Sequence, residues 1–115
     1  MTSDPHSDTP EFERALRALA TQPLALRLFV LGATPASQRA IRNVRALCDE
    51  VLRDRHSLQI VDVFQQPDLA ADEGLIVAPT LVRLSPEPRI RLVGDMSDRA
   101  KVLKALSQRD PQAGS

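Results

Sequence analysis

The sequence predicts an α/β domain with a mixed four-stranded sheet, and three observations carry that expectation. First, Leu24-Ala25-Leu26-Arg27-Leu28-Phe29-Val30-Leu31 is apolar on both faces except at Arg27, the pattern of a central strand covered on both sides. Second, a helical stretch and another apolar run, Leu58-Gln59-Ile60-Val61-Asp62-Val63-Phe64, follow it. Together they make a β-α-β unit, whose crossover is right-handed. Third, Ile76-Val77-Ala78-Pro79-Thr80-Leu81-Val82-Arg83-Leu84 reads as a buried strand with a proline at its entrance. Proline has no N–H for a ladder and is confined to a first residue, an edge or a bulge. Such a joint is also where a cis bond is expected, which only about 5–6% of X–Pro bonds in folded proteins adopt.

Each element can be placed in order. Residues 1–10 hold Ser, Thr, Asp and Pro without apolar pattern and read as disordered. Phe12, Ala15, Leu16 and Leu19 recur at helical spacing, so Glu11 to Ala20 reads as a short amphipathic helix. Thr9 supplies its cap and Pro10 its first position. Thr21-Gln22-Pro23 sets this helix apart as an appendage. The first strand turns out through Gly32-Ala33-Thr34-Pro35. Thr34 caps and Pro35 opens a helix on which Ile41, Val44, Cys48 and Val51 share one face, to about Arg53. After the second strand, Pro67 opens a two-turn helix that Gly74 stops, below the length that propensity alone sustains. Ser85-Pro86-Glu87-Pro88 is a turn, and Arg89-Ile90-Arg91-Leu92-Val93 alternates as a half-exposed strand. Gly94-Asp95-Met96-Ser97 breaks it. Ser97 caps a last helix in which Val102, Leu103 and Leu106 face inward. The tail from residue 109 to 115 reads as frayed. The resulting order, β-α-β-α-β-β-α, is thioredoxin-like, with Pro79 in the place of that fold's cis-proline. The boundaries are an extension over residues 1–23, the domain over 24–108 and a tail over 109–115.

Composition limits what such a domain does. The 115 residues carry 15 basic and 15 acidic side chains, a formal charge of zero, which removes the electrostatic footprint of a nucleic-acid binder. Three Phe without Trp or Tyr offer no stacking platform for single strands. One cysteine cannot close an internal disulfide, as suits a reducing cytosol. No apolar run approaches the ~20 residues of a membrane span, and the polar N-terminus does not resemble a secretory signal. A soluble cytoplasmic domain is expected, with no nucleic-acid or membrane partner.

Thiol redox chemistry needs Cys-x-x-Cys at the start of the first long helix, where the helix N-terminus lowers the thiol pKa. The corresponding turn is Thr34-Pro35-Ala36-Ser37, two hydroxyls at the cysteine spacing. Cys48 falls on the apolar helix face, the place of an inert core cysteine. His6 and His56 belong to no cluster at ligand spacing, so no metal or cofactor is expected. Gly32 and Gly94 read as turn glycines. Asp62 is a buried carboxylate or, more commonly for a strand end, an acceptor for backbone in the next turn. The remaining candidate is surface: Arg39 and Arg42 on the first long helix, and Arg83, Arg89 and Arg91 on the strand pair. These arginines form a merely solvated face or dock an acidic partner.

Four segments resemble a known family. Leu28-Phe29-Val30-Leu31-Gly32-Ala33-Thr34-Pro35-Ala36-Ser37 is similar to its L-Y-V-x-G-x-T-P-x-S, and Val61-Asp62-Val63-Phe64-Gln65-Gln66-Pro67-Asp68-Leu69-Ala70 to its I-D-V-x-x-x-P-x-L-A. Ala78-Pro79-Thr80-Leu81 resembles its T-P-T-L, and Gly94-Asp95-Met96-Ser97-Asp98-Arg99-Ala100-Lys101-Val102-Leu103 its G-D-L-S-D-R-x-K-V-L. The family is KaiB, the small circadian-clock proteins, and the resemblance runs from about Leu26 to Leu106.

The resemblance implies a non-enzymatic regulator. Its partner is the N-terminal ATPase ring of a KaiC-type hexamer, whose phosphorylated phase it opposes. KaiA, or a histidine kinase competing with KaiB, is a further implied partner. It also implies a fold-switched resting state of the second half, as a homo-oligomer, tetramer or dimer. Arg39, Arg42, Arg83 and Arg91 would then contact the partner, while Gly32, Pro35, Asp62, Pro67, Pro79, Gly94 and Asp95 shape the switch. The chain departs from the family in its longer N-terminal extension, in a C-terminal tail that is not acidic, and in Ala100, Ala105 and Ser107. An hourglass timer or stress pathway is therefore an alternative to a full clock. A second reading is a non-switching thioredoxin-like adaptor or sensor domain that docks a kinase or ATPase.

Overall fold

A computed structural model describes residues 10–19 and 22–108. The expected disorder of residues 1–9, the Thr9 cap and the frayed tail of 109–115 lie outside the described residues, as does the side chain of Phe12. The elements are α1 (Pro10–Leu19), β1 (Leu24–Val30), α2 (Pro35–Leu47), β2 (His56–Asp62), α3 (Pro67–Ala70), β3 (Thr80–Ser85), β4 (Ile90–Val93) and α4 (Arg99–Leu106). A π-helical turn, Cys48–Leu52, prolongs α2, and a 3-10 turn, Ala71–Glu73, prolongs α3.

The sheet order is β2-β1-β3-β4. β1 runs parallel to β2, with Leu28 opposite Ile60, and antiparallel to β3, with Leu28 opposite Leu81. β3 and β4 are antiparallel, so the sheet is mixed and four-stranded, as its sequence predicts.

The two-sided apolarity of β1 has a direct structural counterpart. Leu24, Leu26, Leu28 and Val30 point into a core shared with Leu19 of α1, Ala40, Val44 and Leu47 of α2, and Val102, Leu103 and Leu106 of α4. Phe29 points the other way, into a second core with Val61, Val82, Ala70 of α3 and Ile76. Helices α1, α2 and α4 thus cover one face and the α3 segment covers the other.

Four local expectations are corrected. β3 begins after Pro79 rather than at Ile76, because Pro79 can give no ladder N–H and Ile76 is spent on the second core. Among the described residues the cis bonds are Ser85–Pro86 and Glu87–Pro88, so Ala78–Pro79 is trans. In that arrangement the Pro79 carbonyl accepts from the Gly94 N–H at 2.8 Å, and the Ala78 carbonyl accepts from the Thr80 hydroxyl at 3.0 Å. The cap of α4 is Asp98, which accepts from the Lys101 N–H at 3.2 Å. Because α4 starts at Arg99, Ser97 stands one residue too early to cap it, and its N–H instead donates to the Asp95 carboxylate at 3.1 Å. Finally, α1 is no appendage: Ala15 and Leu19 are buried, and the helix packs along α4.

Candidate functional site

The turn from β1 into α2 is the place where the fold would hold a redox pair, and here it is a hydroxyl network. Thr34 accepts from the Ser37 N–H at 3.2 Å, which makes it the N-cap, and its own hydroxyl donates to Ser37 Oγ at 2.8 Å. Ser37 Oγ also accepts from the Leu31 N–H at 2.9 Å, and Ser37 is 0% exposed. Both hydroxyls are therefore committed to holding β1 onto α2, and Pro35 occupies the first helical position.

Next to this turn, one oxygen of Asp62 accepts from the Phe64 N–H at 2.9 Å and from the Gly32 N–H at 3.3 Å. It joins the ends of the parallel strands, as an acceptor for turn backbone. Gly32 sits at φ 65, in the left-handed region that favours glycine. Cys48, 1% exposed, has its thiol pushed up to about 11 by burial, with Asp49 adding to the effect. A thiol so far from ionised at neutral pH is a poor nucleophile.

The expected arginines separate into three environments. On α2, Arg39 is half-exposed and reaches Asp95 at 3.0 Å. That hydrogen bond, followed by those from Ser97, holds the Asp95 carboxyl below the usual carboxylate range. Asn43 adds a bond to the Asp95 carbonyl at 2.8 Å, so α2 anchors the turn that Gly94, at φ 131, begins. Arg42 and Arg45 are exposed, and α2 holds no carboxylate before the π-helical turn, where Asp49 and Glu50 stand.

Arg91 and Arg89 lie on the other face, where both meet Glu73. Arg89 pairs with its carboxylate, and Arg91 donates to its carbonyl at 3.1 Å. Pro67 starts α3, and Glu73 ends the same segment, so the two arginines tie that segment to β4. Glu73, 9% exposed, was not among the expected residues. Helical-end acidity reads as solvated from sequence, and the arginine partners are 16 and 18 residues away.

Arg83 does not project to the surface as expected. It is 1% exposed, and burial lowers its pKa. Its guanidinium donates to the Leu106 carbonyl at 2.5 Å and to the Pro88 carbonyl at 2.6 Å. It serves the C-terminal end of α4, where carbonyls lack intrahelical partners. A signal was present in the sequence: Leu81, Val82 and Leu84 make β3 apolar on both faces, as in β1, so a residue between them faces a core.

Among the described residues no group of three or more His, Cys, Asp or Glu could hold a metal ion, and no helix is long and apolar enough to cross a membrane. The geometry offers a surface instead. It is the outer side of α2, basic and anchored at the Gly94–Ser97 turn.

Comparison with known proteins agrees with the fold and narrows the family. Residues 27–108 match the KaiB domain family. The chain is 42% identical over 83 residues to the circadian clock protein KaiB3 of Synechocystis sp., covering 72% of this chain and 81% of that one. It is 38% identical over 87 residues to the circadian clock oscillator protein KaiB of Prochlorococcus marinus (strain MIT 9312), covering 76% and 83%. Among solved structures, the N-terminal domain of Synechococcus elongatus SasA is similar with a TM-score of 0.60 and 34% identity, over 78% of this chain and 89% of that one. Mitochondrial thioredoxin 3 of Saccharomyces cerevisiae shares the fold, with a TM-score of 0.58 at 15% identity over 78% of this chain and 82% of that one. With its thioredoxin-like fold, its hydroxyl pair at the redox position and its match over residues 27–108, the chain belongs to the KaiB family of circadian clock proteins.

Proposed function

We propose that this protein is a non-enzymatic cytoplasmic regulator that binds the ATPase ring of a KaiC-type hexamer and modulates its phosphorylation cycle, in a clock or in a timer or stress pathway. The observation that carries the reading is the outer face of α2. In a KaiB-family domain, it presents Arg39, Arg42 and Arg45 with no carboxylate in the helix. Arg suits such a surface because its planar fork binds carboxylates bidentately. Arg39 already meets a carboxylate, Asp95, through a single hydrogen bond at 3.0 Å, and Arg91 contributes from the opposite face while bound to Glu73. Arg83 stays inside and contacts no partner. KaiA, or a histidine kinase competing for the same hexamer, is a further partner in this reading.

The described thioredoxin-like arrangement is the binding form. At rest, the second half takes another packing within a homo-oligomer, tetramer or dimer. The short α3, four helical residues followed by a 3-10 turn, and the four-residue β4 support this, because two packings must lie within a few kcal/mol of each other. If ~1% of the protein is binding-competent, its apparent affinity falls about a hundredfold. The purified chain should co-elute with a KaiC-type hexamer and ATP after hours of incubation. Failure to form that complex on prolonged incubation counts against the reading.

A second reading, a non-switching thioredoxin-like adaptor, is favoured by the likeness to the SasA N-terminal domain. One stable monomeric set of NMR peaks, without exchange to a second set, would select it.

A further inference from the structure

Helix α4 is eight residues long, short of the roughly 12 residues at which even helix-rich sequences become marginally stable alone. Its stability therefore comes from what it packs against. Its most extensive partner is α1, ahead of β4. That partner lies over residues 10–19, outside the 27–108 stretch that matches the KaiB domain. Leu19, 1% exposed, joins Val102, Leu103 and Leu106 in the first core, and Leu16 packs against the same cluster. A small cavity lined by Leu19, Leu24, Arg83 and Leu106 marks where α1 closes over the buried guanidinium. Arg83 in turn holds the last carbonyl of α4.

We infer that α1 is an intramolecular clasp, added outside the family domain, that holds α4 on the sheet and seals Arg83 from water. The clasp acts locally. β1 and α2 keep their own packing around Leu28, Ala40 and Val44, whereas α4 loses its main support when α1 lifts. The consequence for partner binding rests on the function proposed above: a seated clasp biases the chain toward the thioredoxin-like arrangement. The clasp itself stands independently of any partner.

Amide hydrogen exchange of the full-length protein tests it without a KaiC-type protein present, so its failure is distinct from failure of the binding reading. In Leu19→Asp, amides of residues 102–107 should exchange at least tenfold faster, while those of residues 26–30 and 40–47 stay within about twofold of wild type. Leu19→Ala, which introduces no charge, should show the same pattern at smaller amplitude and covers the case in which the aspartate unfolds the chain. Unchanged exchange at 102–107, or uniform acceleration across the sheet and α2 in Leu19→Ala, would overturn the inference.

Discussion

Arg83 shows how a single side chain can be expected on the surface and still hold the interior together. Its two hydrogen bonds to carbonyls are charge-assisted, each contributing about 1.5–3 kcal/mol. Arg83→Met fills similar volume but leaves both carbonyls without a donor, and we expect a loss of roughly 2–4 kcal/mol in urea unfolding. A loss under about 0.5 kcal/mol, the range of ordinary surface changes, contradicts the buried placement. Arg83→Lys should recover only part of the loss, since one ammonium cannot reproduce the fork. Asp95 behaves oppositely, as a partly exposed group with a depressed pKa. Its link to Arg39 is present above the usual carboxylate range and is lost as pH falls through the lowered value. An NMR titration should place the Asp95 midpoint below that of an ordinary aspartate, about 3.9. Arg39→Ala should move it upward, and an unmoved midpoint would show that Arg39 is not the cause.

At the level of elements, legibility followed apolar pattern. β1 was readable because it is apolar on both faces except at Arg27, the mark of a central strand, and α2 because its apolar residues repeat at helical spacing. The β3 start, the Asp98 cap and the docking of α1 were not, because each is decided by a partner distant in sequence or by competition between neighbouring acceptors. Ser97 binds back to Asp95, and Asp98, one residue later, caps α4. Helix α4 also carries its own propensity. Ala105→Gly should cost about 0.5–1 kcal/mol by the glycine penalty, reported by faster exchange within α4. An equal or raised stability would show that propensity does not limit this helix.

For the whole molecule, a formal charge of zero conceals an uneven layout. On α2, Arg42 and Arg45 are exposed and Arg39 is paired with Asp95, while Arg89 and Arg91 are held by Glu73 on the opposite face. Composition alone therefore could not reveal how the arginines divide between the two faces. That division came from the sheet order, which places α2 and α3 on opposite faces. The identity of the surface then rests on α2. Equilibrium binding of the Arg39→Glu, Arg42→Glu double variant to a KaiC-type hexamer with ATP, beside the wild type, measures it directly. We expect the folded variant to bind at least a hundredfold more weakly, about 2.7 kcal/mol. Wild-type affinity in that variant would contradict the account.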